Sequence, residues 1–365
     1  LSSFLKDLET PAVVIDLDRL EDNLRRTAEI AAQAGVKLRP HIKTHKSVWI
    51  AKRQLELGAC GITVAKLGEA EVMADAGIRD ILVAYPIIGK SKLARLGSLL
   101  EKAKVIVSVD SVEAAEGLSG LGQSLGVRIP LYLDVNSGLN RCGREPGAES
   151  AELGLRIGEL PGIDLIGLMT HAGHVYGKPA AEGCREVALT EAQTLLMTQE
   201  QLRLQGMDVK EISVGSTPTS KFAAELPGIT EIRPGAYVFG DGSQLYPGTI
   251  TEAECAMRIY ATVVSTPRPG TVIIDAGSKT LTTDVSVHRP GYGYMPEHPS
   301  AVIERMSEEH GIVRVSDDCS LRIGDVVSII PNHCCTVTNL HDQLLGVRGG
   351  GVERRISVDA RGKVQ

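Results

Sequence analysis

The segment Arg39-Pro40-His41-Ile42-Lys43-Thr44-His45-Lys46 sets one lysine among four other potential cations. If the chain stays extended there, Arg39, His41, Lys43 and His45 alternate onto one face. Crowded by positive neighbours, the Lys43 ammonium is expected to give up its proton easily, which is what imine formation with an aldehyde requires. A solvated basic strand end is the competing reading of these residues. In Asp134-Val-Asn136-Ser-Gly-Leu-Asn140-Arg141-Cys-Gly143 a Gly-punctuated turn delivers Arg141, which either stabilises a ligand oxyanion or caps the next helix. His171-Ala-Gly-His174-Val-Tyr176 offers two imidazoles and a phenol for ring contact and proton transfer, with at least one imidazole expected to be structural.

Two more segments suit an anion. Ser213-Val-Gly215-Ser216-Thr217-Pro218-Thr219 puts backbone amides and hydroxyls at a turn, and Arg233-Pro-Gly235-Ala-Tyr237 adds a second Gly turn. Each alone reads equally well as a plain turn. Near the C-terminus, His333 and Cys335 are two apart in Pro331-Asn-His333-Cys334-Cys335. In an extended chain they share a face while Cys334 points away. Imidazole plus thiolate suits zinc or another borderline-soft divalent ion with positions left open, although a turn with buried thiols is the alternative.

These residues need elements to carry them. Strands are expected near Val36–His41, Gly61–Lys66, Ile81–Pro86, Val105–Asp110, Ile129–Val135, Leu165–His171, Glu211–Gly215 and Glu231–Phe239. Helical stretches separate them, among them Lys46–Leu57, Leu67–Ala76, Lys90–Ala103, Val112–Leu125 and Ala180–Gln205, with Gly58, Gly77 and Gly206 where helix ends belong. Eight β/α units imply a closed (β/α)8 TIM barrel, whose active site lies at the C-terminal strand ends and which often binds phosphate after strands seven and eight. The two anion-suited turns fall after those two strands.

Beyond about residue 245 the helical period gives way to short β-rich runs, Ala256–Ser265, Thr271–Asp275, Ile312–Val315, Asp325–Ile330, Gln343–Val347 and Val352–Val358. A C-terminal β domain is expected. The early run Ala12–Asp16 is surplus to the barrel and is assigned to that β sheet. The domains are therefore read as 17–244 for the barrel and 1–16 plus 245–365 for the β domain carrying the metal motif.

Over 365 residues, 39 Lys+Arg against 45 Asp+Glu and 3% aromatics argue against nucleic-acid binding. No apolar run reaches the length of a membrane span, and Leu1–Asp7 lacks signal-peptide character. Seven cysteines in a long chain read as reduced thiols in the cytoplasm.

A lysine after the first strand, an arginine for an oxyanion and a phosphate cradle together describe a pocket for pyridoxal 5′-phosphate. The motifs Arg39-Pro-His-Ile-Lys43-Thr-His-Lys, Asn140-Arg141-Cys-Gly, Gly215-Ser216-Thr217-Pro218, Ser307-Glu308-Glu309-His310-Gly311 and Pro331-Asn-His333-Cys-Cys335 resemble those of the fold-type III pyridoxal-phosphate enzymes. The likeness is greatest to the D-threonine aldolase and D-serine dehydratase group, whose barrel is alanine racemase-like. It runs from Thr10-Pro11-Ala12 to Ser357–Gly362.

The resemblance implies that Lys43 is the Schiff-base lysine, that Arg141 faces the cofactor's phenolic oxygen, and that Gly215, Ser216, Thr217, Gly235 and Tyr237 hold its phosphate. It places His171 and Tyr176 along cofactor and substrate, with Lys43 and His171 catalytic. It further implies a homodimer, and a divalent metal, zinc or manganese, on His333 and Cys335 beside the cofactor of a barrel. The substrate would be a small β-hydroxy-D-amino acid, its D configuration resting on the resemblance alone. Aldolases of the group carry His-x-Asp at the metal positions, whereas His-x-Cys is similar to the dehydratases. Elimination to oxo acid and ammonia is therefore placed slightly ahead of cleavage to glycine and aldehyde. An amino-acid racemase of the same fold would need no metal pair, and single-barrel cofactor-binding proteins lack the residues that follow the barrel here.

Overall fold

Apolar runs of four to six residues recur between amphipathic stretches through the first two thirds of the chain, and each becomes a strand followed by a crossover helix. The structure, a computed structural model, describes residues 8–178 and 181–365. Leu1–Asp7, with its expected lack of signal character, and Ala180, the expected first residue of a helix, lie outside them. Strand β1 (Ala12–Asp16) leads into α1 (Leu17–Ala34). Then follow β2 (Lys37–Leu38), α2 (Val48–Glu56), β3 (Ile62–Val64), α3 (Leu67–Asp75), β4 (Asp80–Val83), α4 (Lys90–Leu100), β5 (Lys104–Val109) and α5 (Val112–Leu125). The alternation continues with β6 (Ile129–Asp134), α6 (Ala148–Gly158), β7 (Ile163–Met169), α7 (Ala181–Leu204), β8 (Glu211–Val214), α8 (Thr217–Ala223) and β9 (Glu231–Ile232).

Strands β2 to β9 form one parallel sheet in the order β2-β9-β8-β7-β6-β5-β4-β3. Its ends meet through a sparse seam: Cys60 N–H donates to Leu38 O (2.9 Å), Thr63 N–H to Pro40 O (2.8 Å), and His41 bridges to Thr63. All eight expected strands are present, but the first and eighth are two residues long instead of six and nine. Pro40 and Pro234 have no N–H to continue the ladder. Helix α2 likewise starts two residues later than expected, because Lys46 sits at φ 49°. The helix-ending glycines Gly58, Gly77 and Gly206 all have positive φ, at 99°, 93° and 86°.

On one face of β4 to β7, Leu82, Ile106, Tyr132 and Met169 pack into a buried layer. Beside it lies a buried charge. Arg39 is 4% exposed, its Nε donates to Glu231 Oε2 (2.7 Å), and its Nη1 donates to Asp80. Arg39 is thus taken up by two acids within the barrel sheet.

The remaining elements are α9 (Gly242–Leu245), β10 (Met257–Arg268), β11 (Thr271–Ile274), α10 (Ser278–Leu281), β12 (Val302–Met306), β13 (Gly311–Arg314), β14 (Val326–Ile329), α11 (Cys334–Leu340), β15 (Gln343–Arg348) and β16 (Gly351–Ser357). They make a second sheet, ordered β12-β13-β11-β10-β1-β15-β16 with β14 also on β10. Strand β1 belongs to it, antiparallel to β10 and parallel to β15. Strand β12 had no counterpart in the sequence reading, since Glu304 and Arg305 interrupt its apolar pattern. By packing, residues 26–43, 50–235 and 363–365 form one unit, and 44–49, 236–362 and the described part of 1–25 form the other. Residues 44–49 join the second unit through bonds such as Lys46 Nζ to Asn339 Oδ1 (2.8 Å) and Ala360 N–H to Lys46 O (3.0 Å).

Glu231→Ala would leave the buried Arg39 guanidinium with Asp80 alone and the Nε donor without its acceptor. Loss of about 3 to 5 kcal/mol of stability is expected in urea unfolding.

Candidate active site

The strand ends of the barrel carry a concentration of positive charge. After β2, His41 N–H donates to Pro234 O (2.9 Å), and a single 3-10 turn, Ile42–Thr44, presents Lys43. Lys43 N–H donates to His41 Nδ1 (3.3 Å). His45, expected on the same face as Lys43, is instead buried, its Nδ1 accepting from Ser47 N–H (3.1 Å). The turn breaks the alternation that an extended chain would have kept.

Burial first, then Lys43, His171, Arg233 and Arg141, push the His41 imidazole well below its ordinary pKa. His171, past the end of β7, is pushed down to about 3 by burial, Lys43 and Arg141. Both rings are therefore neutral. His171 Nδ1 bonds to Gly215 O, a carbonyl that can only accept, so the proton sits on Nδ1 and Nε2 remains an acceptor. Lys43, Arg141 and His171 thus share one electrostatic field.

Arg141 rides on a stiff loop. Asn136 Oδ1 accepts from Gly138 N–H (3.0 Å) and Asn140 N–H (3.1 Å), while its Nδ2 donates to Asn140 Oδ1 (2.8 Å) and Glu145 Oε1 (2.9 Å). At Gly143 (φ 93°) a Cβ would lie 2.7 Å from Asn136 N. Arg141 does not cap the following helix, since α6 begins at Ala148 behind the N-cap Gly147 and has no side-chain cap bond. It is exposed and bonds to Cys142.

The seventh and eighth loops are stitched together. Gly235 N–H donates to Thr217 Oγ1 (3.1 Å), and Ser216 Oγ lies 2.9 Å from Thr219 Oγ1. Gly215 packs so tightly on the eighth loop that a Cβ would come within 3.0 Å of Arg233 Cβ. Its amide is already used, donating to Glu191 Oε1 (3.3 Å). The hydroxyls of Ser216 and Thr217 remain the local donors suited to a phosphate. With the cations of Lys43, Arg141 and Arg233, this donor set fits pyridoxal 5′-phosphate.

Tyr176, on the 3-10 turn Gly173–Gly177, packs against Ala172, Val175, Cys184 and Val187. His174 on the same turn has its ring 3.4 Å from where a Gly138 Cβ would stand, and its buried Nδ1 meets no partner among the described residues.

Several groups escaped the sequence reading. Arg233 is 5% exposed, donating through Nη1 to Ser213 Oγ and through Nη2 to Thr170 O. Burial pushes the carboxyls of Asp134 and Glu191 up to about 7 each, against the pull of Arg233. Glu191 had no signal, being one acid in a long amphipathic helix. Arg233 was visible only as part of a Gly turn.

In the second unit, Tyr237 is buried in the short 3-10 helix Ala236–Val238. The His333–Cys335 segment is not extended throughout: His333 is (φ −143°, ψ 117°), but it is the N-cap of α11, and Cys334 and Cys335 are already helical. The two side chains still meet in a hydrogen bond, and Cys334 is buried. Cys335 Sγ lies 3.1 Å from Thr44 Oγ1, and His333 Nδ1 lies 3.2 Å from Asp241 Oδ2. The Cys335 sulfur and Asp241 push the His333 imidazole well above its ordinary pKa. This corner thus favours positive charge, and one nitrogen and one sulfur converge there, which fits a divalent ion. Among the described residues no third His, Cys, Asp or Glu joins them as a ligand group.

A parallel β/α barrel whose strand ends gather cations and hydroxyls, with an antiparallel β unit in the same chain, is the architecture of a barrel-type pyridoxal-phosphate enzyme. The family model described as the alanine racemase N-terminal domain matches residues 15–243, and that of a putative serine dehydratase domain matches 256–347, so the chain belongs to this family. A D-threonine aldolase from Arthrobacter sp is 35% identical, covering 98% of this chain and 94% of its own length. The D-threo-3-hydroxyaspartate dehydratase of Delftia sp. is 35% identical over 91% of this chain and 92% of its own. That dehydratase has been solved with a histidine replaced by alanine and, in a metal-free form, with a cysteine two positions further on replaced by alanine. The crystal structure of a D-threonine aldolase from Filomicrobium marinum superposes with a TM-score of 0.92 at 33% identity, over 99% of this chain and 98% of the other.

Glu191 supplies a test of the buried charge. Its carboxyl binds a proton more tightly folded than unfolded, so its stabilising contribution is complete below about 4.5 and is lost as pH rises through about 7. Glu191→Gln removes this dependence. Relative to the variant, the wild type is expected to lose on the order of 3 kcal/mol between pH 5 and pH 8, read from urea midpoints. An unchanged difference would show the carboxyl to be ordinary.

Proposed function

We propose that the chain is a pyridoxal-phosphate- and divalent-metal-dependent lyase of β-hydroxy-D-amino acids, favouring elimination to oxo acid and ammonia. The observation that carries this reading is the convergence of His333 and Cys335 on one point. Their spacing is that of the histidine and cysteine replaced in the Delftia dehydratase, one of them in a metal-free form. Retro-aldol cleavage to glycine and aldehyde is nearly even with elimination, because D-threonine aldolases are equally similar in sequence.

Bound pyridoxal phosphate would supply an electron sink for charge developing at the substrate α-carbon, and a zinc or manganese ion a Lewis acid for the β-hydroxyl. Ser216 and Thr217, with the backbone at Gly215 and Gly235 and the Tyr237 side chain, hold the phosphate. Arg141 holds the phenolic oxygen, and Tyr176 lines cofactor and substrate. Lys43 would hold the cofactor through its aldehyde group, and its Nζ would take the substrate's Cα proton in elimination. In cleavage it is the β-hydroxyl that loses a proton and the Cα–Cβ bond that breaks. His171 Nε2, left as an acceptor by the Nδ1 bond to Gly215 O, would hold a proton during either course.

In the same reading residues 17–244 supply the cofactor cradle, residues 1–16 plus 245–365 supply the metal pair, and the enzyme works as a cytoplasmic homodimer. Its seven free thiols suit a reducing compartment, and no helix among the described residues is long and apolar enough to cross a membrane.

The test is product analysis on protein loaded with pyridoxal phosphate and zinc or manganese, given D-threonine, D-serine and a bulkier β-hydroxy-D-amino acid. Oxo acid and ammonia are expected, with activity lost in chelator, restored by the metal, and absent in Lys43→Ala. Glycine and aldehyde would establish the aldolase instead. Accumulation of L-isomers alone would replace the lyase by a racemase.

A further inference from the structure

Asp241 does more than start a helix. It is the N-cap of α9, entirely buried, and one oxygen suffices for that duty: Oδ1 accepts from Ser243 N–H (3.1 Å), Ser243 Oγ (2.5 Å) and Gln244 Nε2 (3.3 Å). The other oxygen, Oδ2, accepts from Cys334 N–H (2.9 Å) and faces His333 Nδ1 at 3.2 Å. The two segments are also knitted by backbone, with Gly242 N–H donating to Pro331 O (2.9 Å) and Ser243 N–H to Asn332 O (3.1 Å). A buried carboxylate is therefore fixed from one side and aimed from the other at the ring and the amide that bracket the metal pair.

The chemistry of that contact is directional. A carboxylate oxygen only accepts, so the His333 nitrogen facing it must carry a proton, and Nε2 is the nitrogen that can turn a lone pair to a metal. We propose that Asp241 is the positioning residue of the metal pair: it holds the tautomer and orientation of His333 and the start of α11, and so sets the affinity of His333 and Cys335 for a divalent ion. This rests on the metal reading above. Removing such an outer partner typically weakens metal binding by about 10- to 100-fold.

The experiment measures zinc affinity by competition with a chromogenic chelator, on full-length cofactor-loaded protein. Asp241→Asn is nearly isosteric and keeps an oxygen for the cap, but an amide NH2 towards His333 favours the tautomer whose Nε2 is blocked. About 10- to 100-fold weaker zinc binding is expected, with the visible absorbance of bound cofactor retained. Ser243→Ala, which removes one bond to Oδ1 and leaves Oδ2 in place, should bind zinc within about twofold of wild type. Equal affinity in Asp241→Asn and wild type would overturn the proposal, as would an equal loss in both variants, which would mean that the cap alone matters. A variant-free check covers poor folding of Asp241→Asn. In zinc-loaded wild type, nitrogen-15 spectra should show His333 ligating through Nε2 with Nδ1 protonated, and ligation through Nδ1 would overturn the assignment. If wild type binds neither zinc nor manganese, the metal reading itself falls, and the proposal with it.

Discussion

Arg233 is a guanidinium shut away from water, and the geometry of the barrel mouth hangs on how it is satisfied. Its two terminal nitrogens reach the Thr170 carbonyl just past β7 and the Ser213 hydroxyl on β8. Ser213 in turn donates to Glu231 Oε1 (2.6 Å), whose other oxygen takes Arg39. Asp134 and Glu191 add their fields from two further elements. Each of these acids would be costly to bury without the cation, and the cation costly without them. Thr170 is followed by His171, and Ser213 lies two residues before Gly215, so the bonds that satisfy Arg233 also fix where the imidazole and the phosphate-side turn begin.

The positive excess that results is what a doubly anionic cofactor would complete. Lys43, Arg141 and Arg233 all lower the pKa of both imidazoles, second to the burial that lowers them most, and so keep His41 and His171 neutral. An anion there would reverse that pressure and make His171 Nε2 a better base. In the second unit Asp241 and the Cys335 sulfur flank His333 and push its imidazole pKa up, surroundings that a divalent cation would suit.

Periodicity carried the architecture because burial enforces it: strands covered on both faces read as apolar runs, and the helices between them as amphipathic stretches. It failed where local chemistry overrode the pattern. Pro40 and Pro234 cut the first and last barrel strands to two residues. The 3-10 turn Ile42–Thr44 ended the extended run before His45, which is buried, and Arg39 is taken up by Glu231 and Asp80. Cys334 and Cys335, considered as an extended run with His333, instead open the helix α11 behind the His333 cap. The candidate residues with distinctive spacing, Lys43, Arg141, the Gly215–Thr217 turn and His333-x-Cys335, were legible. The acids that hold their surroundings, Glu191, Glu231 and Asp241, were not, because a single carboxylate in a helix, strand or turn carries no sign of what folds against it.

The central claim is that this barrel carries pyridoxal phosphate on Lys43. It is tested most directly by loading the protein with the cofactor, reducing it with borohydride and mapping the modified peptide by mass spectrometry. The account predicts one pyridoxyl group per chain, on the peptide containing Lys43, with loss of visible absorbance on reduction. A label on another lysine, or no label at all in protein that is fully folded, would contradict it.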